Sequence, residues 1–267
     1  LAAVSARGRG LPTTRTVTVN YAQGTYATPN TGYFTGGLLP GDARSTVDRI
    51  DYSNDNATVV KGPLNTARYG SGSTSSPDFG YIAGGSPDGT SISSVERINY
   101  LNDTATAVEK GPLSAVRHYI NGTGNKNFGY FGGGVQPSSF SKVDRIDYSN
   151  DTATAVEKGP LSNARAYIGA TGNQDFGYFA GGGNPKISSV DRIDYANDTA
   201  TAVTKGPLSA EKTGAGASGN SSFGYFAGGF SPSTISTIDR IDYSNDTATA
   251  SPKGPLTTTR FIGEGAT

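Results

Sequence analysis

Short apolar runs alternate with Gly, Pro, Asn and Asp along the whole chain, and breakers interrupt every window of helical length. The stretch from Arg165 to Pro207 shows the pattern. Small residues follow Arg165 and predict a strand a over 165–170; Phe176-Gly177-Tyr178-Phe179-Ala180 predicts a strand b, stopped by Gly181 and Gly182. Strand c is expected over 190–195. Alternation puts Val190, Arg192 and Asp194 on one face and Asp191, Ile193 and Tyr195 on the other, so each face carries both apolar and charged groups and neither is plain solvent surface. Strand d is expected over 199–203, reached through an Asn197-Asp198 turn and ended by Gly206-Pro207.

These blocks recur. Gly-Tyr-Phe/Ile-x-Gly-Gly begins at Gly32, Gly80, Gly129, Gly177 and Gly224, a spacing of 47 to 49 residues. The strand c block recurs at Val47, Val95, Val143, Val190 and Ile238, and Lys-Gly-Pro-Leu at Lys61, Lys110, Lys158, Lys205 and Lys253. Four short strands per repeat, with small residues crowded on the first, fit radial packing around an axis, where the inner strands have least room. The expected fold is therefore all-β, a β-propeller of four-stranded blades over 32–267, five of them, with 1–31 an N-terminal segment or linker. Closing the ring has two solutions. Residues 257–266 match the start of a strand a with no strand b after it, and pairing them beside strand b of the first repeat closes five blades. Alternatively, Gly10 to Arg15 is a degraded d-to-a segment giving the first blade its own strand a over 16–21, and both ends are remnants of a sixth blade.

Composition narrows the chemistry. The 22 basic and 22 acidic side chains cancel, which removes the electrostatic case for nucleic acid or an anionic membrane as partner. With no Cys and a single His, His118, there is no disulfide framework, thiol nucleophile or thiolate metal site, and any imidazole metal centre or Ser-His-Asp triad would hang on one residue. No metal and no cofactor are expected. No apolar stretch is long enough to cross a bilayer as a helix, so a soluble chain without membrane insertion is expected. The absence of Met suggests a processed product or a piece of something longer.

The repeated charges invite a catalytic reading, but Asp48/Arg49, Asp144/Arg145, Asp191/Arg192 and Asp239/Arg240 stand once per repeat at one strand c position and cannot converge on one substrate. A structural network between blades is the expectation, with Arg145 buried and paired to an inner carboxylate. Arg68, Arg117, Arg165 and Arg260, with Lys212 in their place once, are expected to bond strand-end carbonyls rather than ring an anion site. Asn54-Asp55, Asn102-Asp103, Asn150-Asp151, Asn197-Asp198 and Asn245-Asp246 lack calcium-loop spacing and are read as closing the c-to-d turn. The b-to-c connections each hold a Pro but differ in length, charge and aromatic content while the flanking strands stay nearly fixed. Divergent loops on a constant frame build a binding face, or record drift under no constraint. In a four-stranded blade these loops and the starts of the inner strands emerge on one side, so the expected ligand contacts are Arg44, Tyr69, Asp88, His118, Phe140, Lys186 and Phe230.

Tyr178-Phe179-Ala180-Gly181-Gly182, Val190-Asp191-Arg192-Ile193-Asp194 and Pro160-Leu161-Ser162-Asn163-Ala164-Arg165 resemble the three blocks of kelch repeats, over about residues 32–267, with Ala155, Ala202 and Ala250 where kelch strand d has Trp. The near-identical wording of the units is similar to kelch-like propellers in virion proteins of marine bacteriophages, cyanophages especially. That resemblance implies a virion or otherwise secreted location. It implies a non-enzymatic structural or recognition role toward a host surface glycan or protein, or a neighbouring virion subunit. A glycan-acting hydrolase on the same scaffold is the alternative.

Overall fold

A computed structural model describes residues 31–39, 42–54 and 56–261. Blade 1 contains β1 (Thr31–Thr35), a small hairpin of β2 (Leu38–Leu39) and β3 (Asp42–Ala43), then β4 (Val47–Asp51) and β5 (Val59–Val60). Blade 2 is β6 (Gly72–Ser75), β7 (Phe79–Ala83), β8 (Val95–Asn99) and β9 (Val108–Lys110). Blade 3 is β10 (Asn121–Gly124), β11 (Phe128–Gly132), β12 (Val143–Asp147) and β13 (Val156–Lys158). Blade 4 is β14 (Gly169–Gly172), β15 (Phe176–Ala180), β16 (Val190–Asp194) and β17 (Val203–Lys205). Blade 5 is β18 (Gly216–Gly219), β19 (Phe223–Ala227), β20 (Ile238–Asp242) and β21 (Ser251–Lys253). The fold is a five-bladed, antiparallel β-propeller; blades 2 to 5 each pair in sequence order, and blade 1 shows β1-β4-β5 among the described residues. Inner strand β10 lies between β6 and β14, and β14 between β10 and β18.

Strand b falls where the sequence places it, and strand c ends one residue earlier, at Asp194. Strands a and d begin later than expected, at Gly169 and Val203. The residues before strand d are already engaged by the preceding blade. Gly159 N–H donates to the Asp198 carbonyl and Ala202 N–H to the Pro160 carbonyl, each at 2.8 Å. A methyl on Gly159 would overlap the Ala200 carbonyl, and the same holds for Gly62, Gly111 and Gly206 against Ala105, Ala153 and Ala248. Gly-Pro of one blade and Asn-Asp-Thr-Ala-Thr-Ala of the next are thus two halves of one clasp. The Asn-Asp turn itself starts as a single 3₁₀ turn, such as Tyr195–Asn197, capped by Asp194.

The turn aspartates do more than close turns. Asp198 of blade 4 accepts Tyr130 Oη at 2.9 Å and Arg145 Nη1 at 2.7 Å from blade 3, and its other oxygen meets Lys158 Nζ at 3.1 Å. Asp103, Asp151 and Asp246 each hold the equivalent Tyr, Arg and Lys of the preceding blade. The interfaces also stack tyrosines, Tyr130 on Tyr195 at 4.7 Å, above a core of Tyr130, Val143, Leu161, Ile168, Phe179 and Ile193. Arg145 is therefore paired, but its acceptor is the next blade's turn and its side chain keeps 24% of its surface exposed, with the guanidinium over Phe128.

The fully buried cations are those heading the inner strands. Arg117 donates to the carbonyls of Gly133, Lys142 and Phe131 and to Asp144 Oδ2. Arg165 pairs with Asp191, Arg68 with Glu96 and Lys212 with Asp239, all inaccessible to solvent. Both faces of strand c are thus charged, one buried and bonded within its blade, the other partly exposed and bonded across to the next.

Both closure solutions rest on residues 262–267 and 1–30, which lie outside the described residues. Up to Phe261 the C-terminal stretch copies the start of an inner strand: Leu256 N–H donates to Ser236, Arg260 N–H to Ile235, and Gly229 N–H to the Arg260 carbonyl. Arg260 differs from its counterparts in being exposed, bonded to Thr258 Oγ1. Among the described residues no helix is long and apolar enough to cross a membrane.

Candidate functional site

On the face carrying the b-to-c loops, the first residue of each inner-strand approach pairs with the loop of its own blade: Tyr69 with Ser86, His118 with Val135, Thr213 with Phe230. The residue after it sits closer to the axis and is left-handed in four blades. Gly70 and Gly214 take φ 65°, and Tyr119 and Tyr167 take 54° and 57°. That conformation threads a belt of backbone hydrogen bonds around the mouth, Tyr119 N–H to the Gly70 carbonyl at 2.6 Å, Tyr167 N–H to Tyr119 at 3.0 Å and Gly214 N–H to Tyr167 at 2.8 Å. Glycine fits such a position without cost, whereas an L residue with a side chain is strained there by about 1–2 kcal/mol.

The strained tyrosines head an aromatic arc. Tyr119 and Tyr167 stack at 3.9 Å; His118 lies 4.3 Å from Tyr119, Tyr69 6.0 Å from it, and Phe261 6.1 Å from Tyr167. Gly214 leaves the room that the Phe261 ring fills. Beside the arc opens a cavity of about 700 Å³, walled by Tyr119, Tyr167, Phe230 and Phe261, with Ser138, Ser139, Asn184 and Thr213 supplying polar atoms. Lys186 is the single charged side chain among the described lining residues, its Nζ 4.9 Å over the Phe230 ring. Thr213 Oγ1 is buried with no hydrogen-bond partner. Burial pushes the Tyr167 hydroxyl well above the ordinary phenol range, and its bond to Tyr119 adds to this.

Of the residues expected from the sequence, Lys186 and Phe230 share this cavity, and Tyr69 and His118 join the arc behind it. Arg44, Asp88 and Phe140 stand apart. Arg44 pairs with Asp42 at 3.1 Å on the outer hairpin of blade 1. Asp88 caps its own loop by accepting Thr90 N–H, and half-buried Phe140 anchors the blade 3 loop through its backbone to Gly134 and Arg165. Tyr119, Tyr167 and Phe261 were not among the expected contacts. The first two carry a signal in the sequence, a bulky ring where the neighbouring repeats have Gly70 and Gly214.

His118 Nδ1 shares a 2.7 Å hydrogen bond with Ser91 Oγ, whose other partners are the Gln136 amide oxygen and the Val135 carbonyl. Burial lowers the His118 pKa below the usual imidazole value, partly offset by its backbone bond to Val135. Ser91 is buried, no carboxylate among the described residues touches the ring, and the pair holds the imidazole against Tyr119. A second cavity of about 360 Å³ lies between the a-to-b turns of blades 2 and 3, with Asp78, Lys126 and Asp147 at its wall.

No family model and no curated protein matches the chain. Among solved structures, the chain is similar in fold to YjhT, with a TM-score of 0.68 and 13% sequence identity over 89% of this chain and 87% of that one. At that identity the likeness concerns the fold alone, and it supports a kelch-like β-propeller.

Proposed function

We propose that the chain is a non-enzymatic recognition module that holds a saccharide against the aromatic arc. Displayed on a virion, as the resemblance to marine-phage proteins implies, it would meet a glycan of the host surface. A propeller supports a binding or scaffold role in general. The observation that carries the finer reading is Tyr119 and Tyr167, two stacked rings kept in a left-handed backbone at the wall of a cavity. Flat aromatic faces, hydroxyl and amide groups and one ammonium are what the apolar face and hydroxyl rim of a sugar ring ask for. Most glycoside hydrolases work with two carboxylates about 5–10 Å apart across the scissile bond. The described cavity wall has none, and the strand c carboxylates of blades 2 to 5 are committed to buried cations. The test is binding to a glycan array by the wild type and by Tyr119→Gly/Tyr167→Gly. Glycine suits both backbone positions, so the variant is expected to stay folded and lose binding. Equal binding by the folded variant, or no glycan bound by the wild type, would overturn the reading in favour of a protein partner or a spacer role.

A further inference from the structure

Charge distribution around the mouth allows the ligand's chemical class to be narrowed, on the footing of the saccharide reading above. Blade cations are satisfied as a rule: Arg49, Arg97, Arg145 and Arg192, and Lys61, Lys110, Lys158 and Lys205, are each bound to an interblade aspartate. Lys186 is placed differently. It is half-buried at the cavity wall, its ammonium rests on the Phe230 ring, and it makes no ion pair among the described residues. An aromatic face steadies an ammonium but leaves its hydrogen-bond donors unused, and no acidic residue lines the cavity among the described residues to take them up.

We infer that the cavity takes an acidic saccharide, its ring packed on Tyr119 and Tyr167 and its carboxylate or sulfate bound by Lys186. The ion pair forms in a partly enclosed apolar setting, where a charge-assisted hydrogen bond is stronger than on open surface. Loss of such a bond lowers affinity by about tenfold or more. The neutral walls explain why the anion has a single docking point: no second cation lines the described cavity, so the acid group also sets which way round the sugar sits.

The experiment uses the full chain against an immobilised panel in which uronates, nonulosonates and sulfated sugars each stand beside their neutral counterpart, the methyl ester or the desulfated sugar. The wild type is expected to prefer one acidic member over its neutral twin by about tenfold, and the panel then shows whether carboxylate or sulfate is the group. Lys186→Gln is expected to erase that preference, so that the acidic member and its neutral twin bind alike, and Tyr119→Gly/Tyr167→Gly to lose both members. Wild-type binding that ignores the acid group, or a preference that survives Lys186→Gln, overturns the acidic-ligand inference and leaves saccharide recognition standing. Binding to no member of the panel overturns both.

Discussion

Replacing Arg117 by Ala tests whether the buried cations at the heads of the inner strands hold the blades together. Arg117 has no solvent-accessible surface, and neither does its partner Asp144. The guanidinium reaches the carbonyls of Gly133 at 3.0 Å, Lys142 at 2.9 Å and Phe131 at 3.2 Å, and Asp144 Oδ2 at 2.9 Å. Truncation leaves a carboxylate in the interior without its counter-charge, although Ser114 still donates to it from backbone and hydroxyl. Breaking one side of a buried pair costs about 3–5 kcal/mol, and the stranded carbonyls place Arg117→Ala at the upper end. Arg145→Ala is the internal comparison. That side chain is 24% exposed, and Asp198 retains Tyr130 and Lys158 when it is gone, so the loss is expected to be only about 1–2 kcal/mol. Urea unfolding followed by tyrosine fluorescence and circular dichroism measures both. If Arg117→Ala costs no more than Arg145→Ala, the inner-strand cations are not what secures each blade, and the assignment of the main electrostatic contribution to the blade interior is wrong.

Two further outcomes follow from the same networks. Lys212 stands where other blades have Arg, and neither Asp239 oxygen makes a hydrogen bond beyond the 2.9 Å ion pair. Lys212→Arg is expected to reach the carbonyls its counterparts reach and to raise stability by about 1 kcal/mol in the same urea assay; a loss of stability would mean that blade 5 has packed around the shorter side chain. The Asp103 and Asp198 carboxyls are pushed up by burial but held below the usual carboxylate range overall, by bonds from Tyr33 and Lys61 in one case and Lys158 and Tyr130 in the other, with the arginine charges adding to this. A depressed folded pKa gives stability that is complete above the unfolded value of about 3.9 and is lost as pH falls through the folded value. The melting temperature should therefore hold level from neutral pH to about 5 and drop below about 4, with a shallower acid drop in Asp198→Asn; an identical acid slope in that variant would remove Asp198 from the titration.

The repeat made the architecture legible, because blocks that recur at a fixed spacing must occupy equivalent places around an axis. Strand b could be placed to the residue because Gly-Gly stops it, and strand c to within one residue, its last expected position being taken by the 3₁₀ turn that begins at Tyr195. Strand d could not. The Thr-Ala-Thr-Ala run looks extended, but the Asp198 carbonyl before it and the Ala202 N–H at its end pair with Gly159 and Pro160 of the preceding repeat, and the ladder with strand c begins at Val203. For the same reason Asp198 reads as a turn closer when only its neighbours in sequence are considered. Its partners Tyr130, Arg145 and Lys158 lie 68, 53 and 40 positions earlier, in another copy of the unit. Periodicity says that copies are equivalent; it does not say which block of one faces which block of the next.

The loop face follows the opposite logic, since a cavity with particular chemistry arises where the copies stop being equivalent. Five identical loop faces would offer five identical shallow surfaces. At the mouth, Gly70 and Gly214 satisfy the left-handed belt, and blades 3 and 4 could have done the same. Two tyrosines in that conformation cost about 2–4 kcal/mol together. Their mutual stacking at 3.9 Å returns about 0.5–1.5 kcal/mol, and both side chains remain only half-buried. What they add over glycine is two ring faces at the cavity wall, next to a lysine that pairs with no carboxylate among the described residues, and this is where the asymmetry of an otherwise regular ring is concentrated.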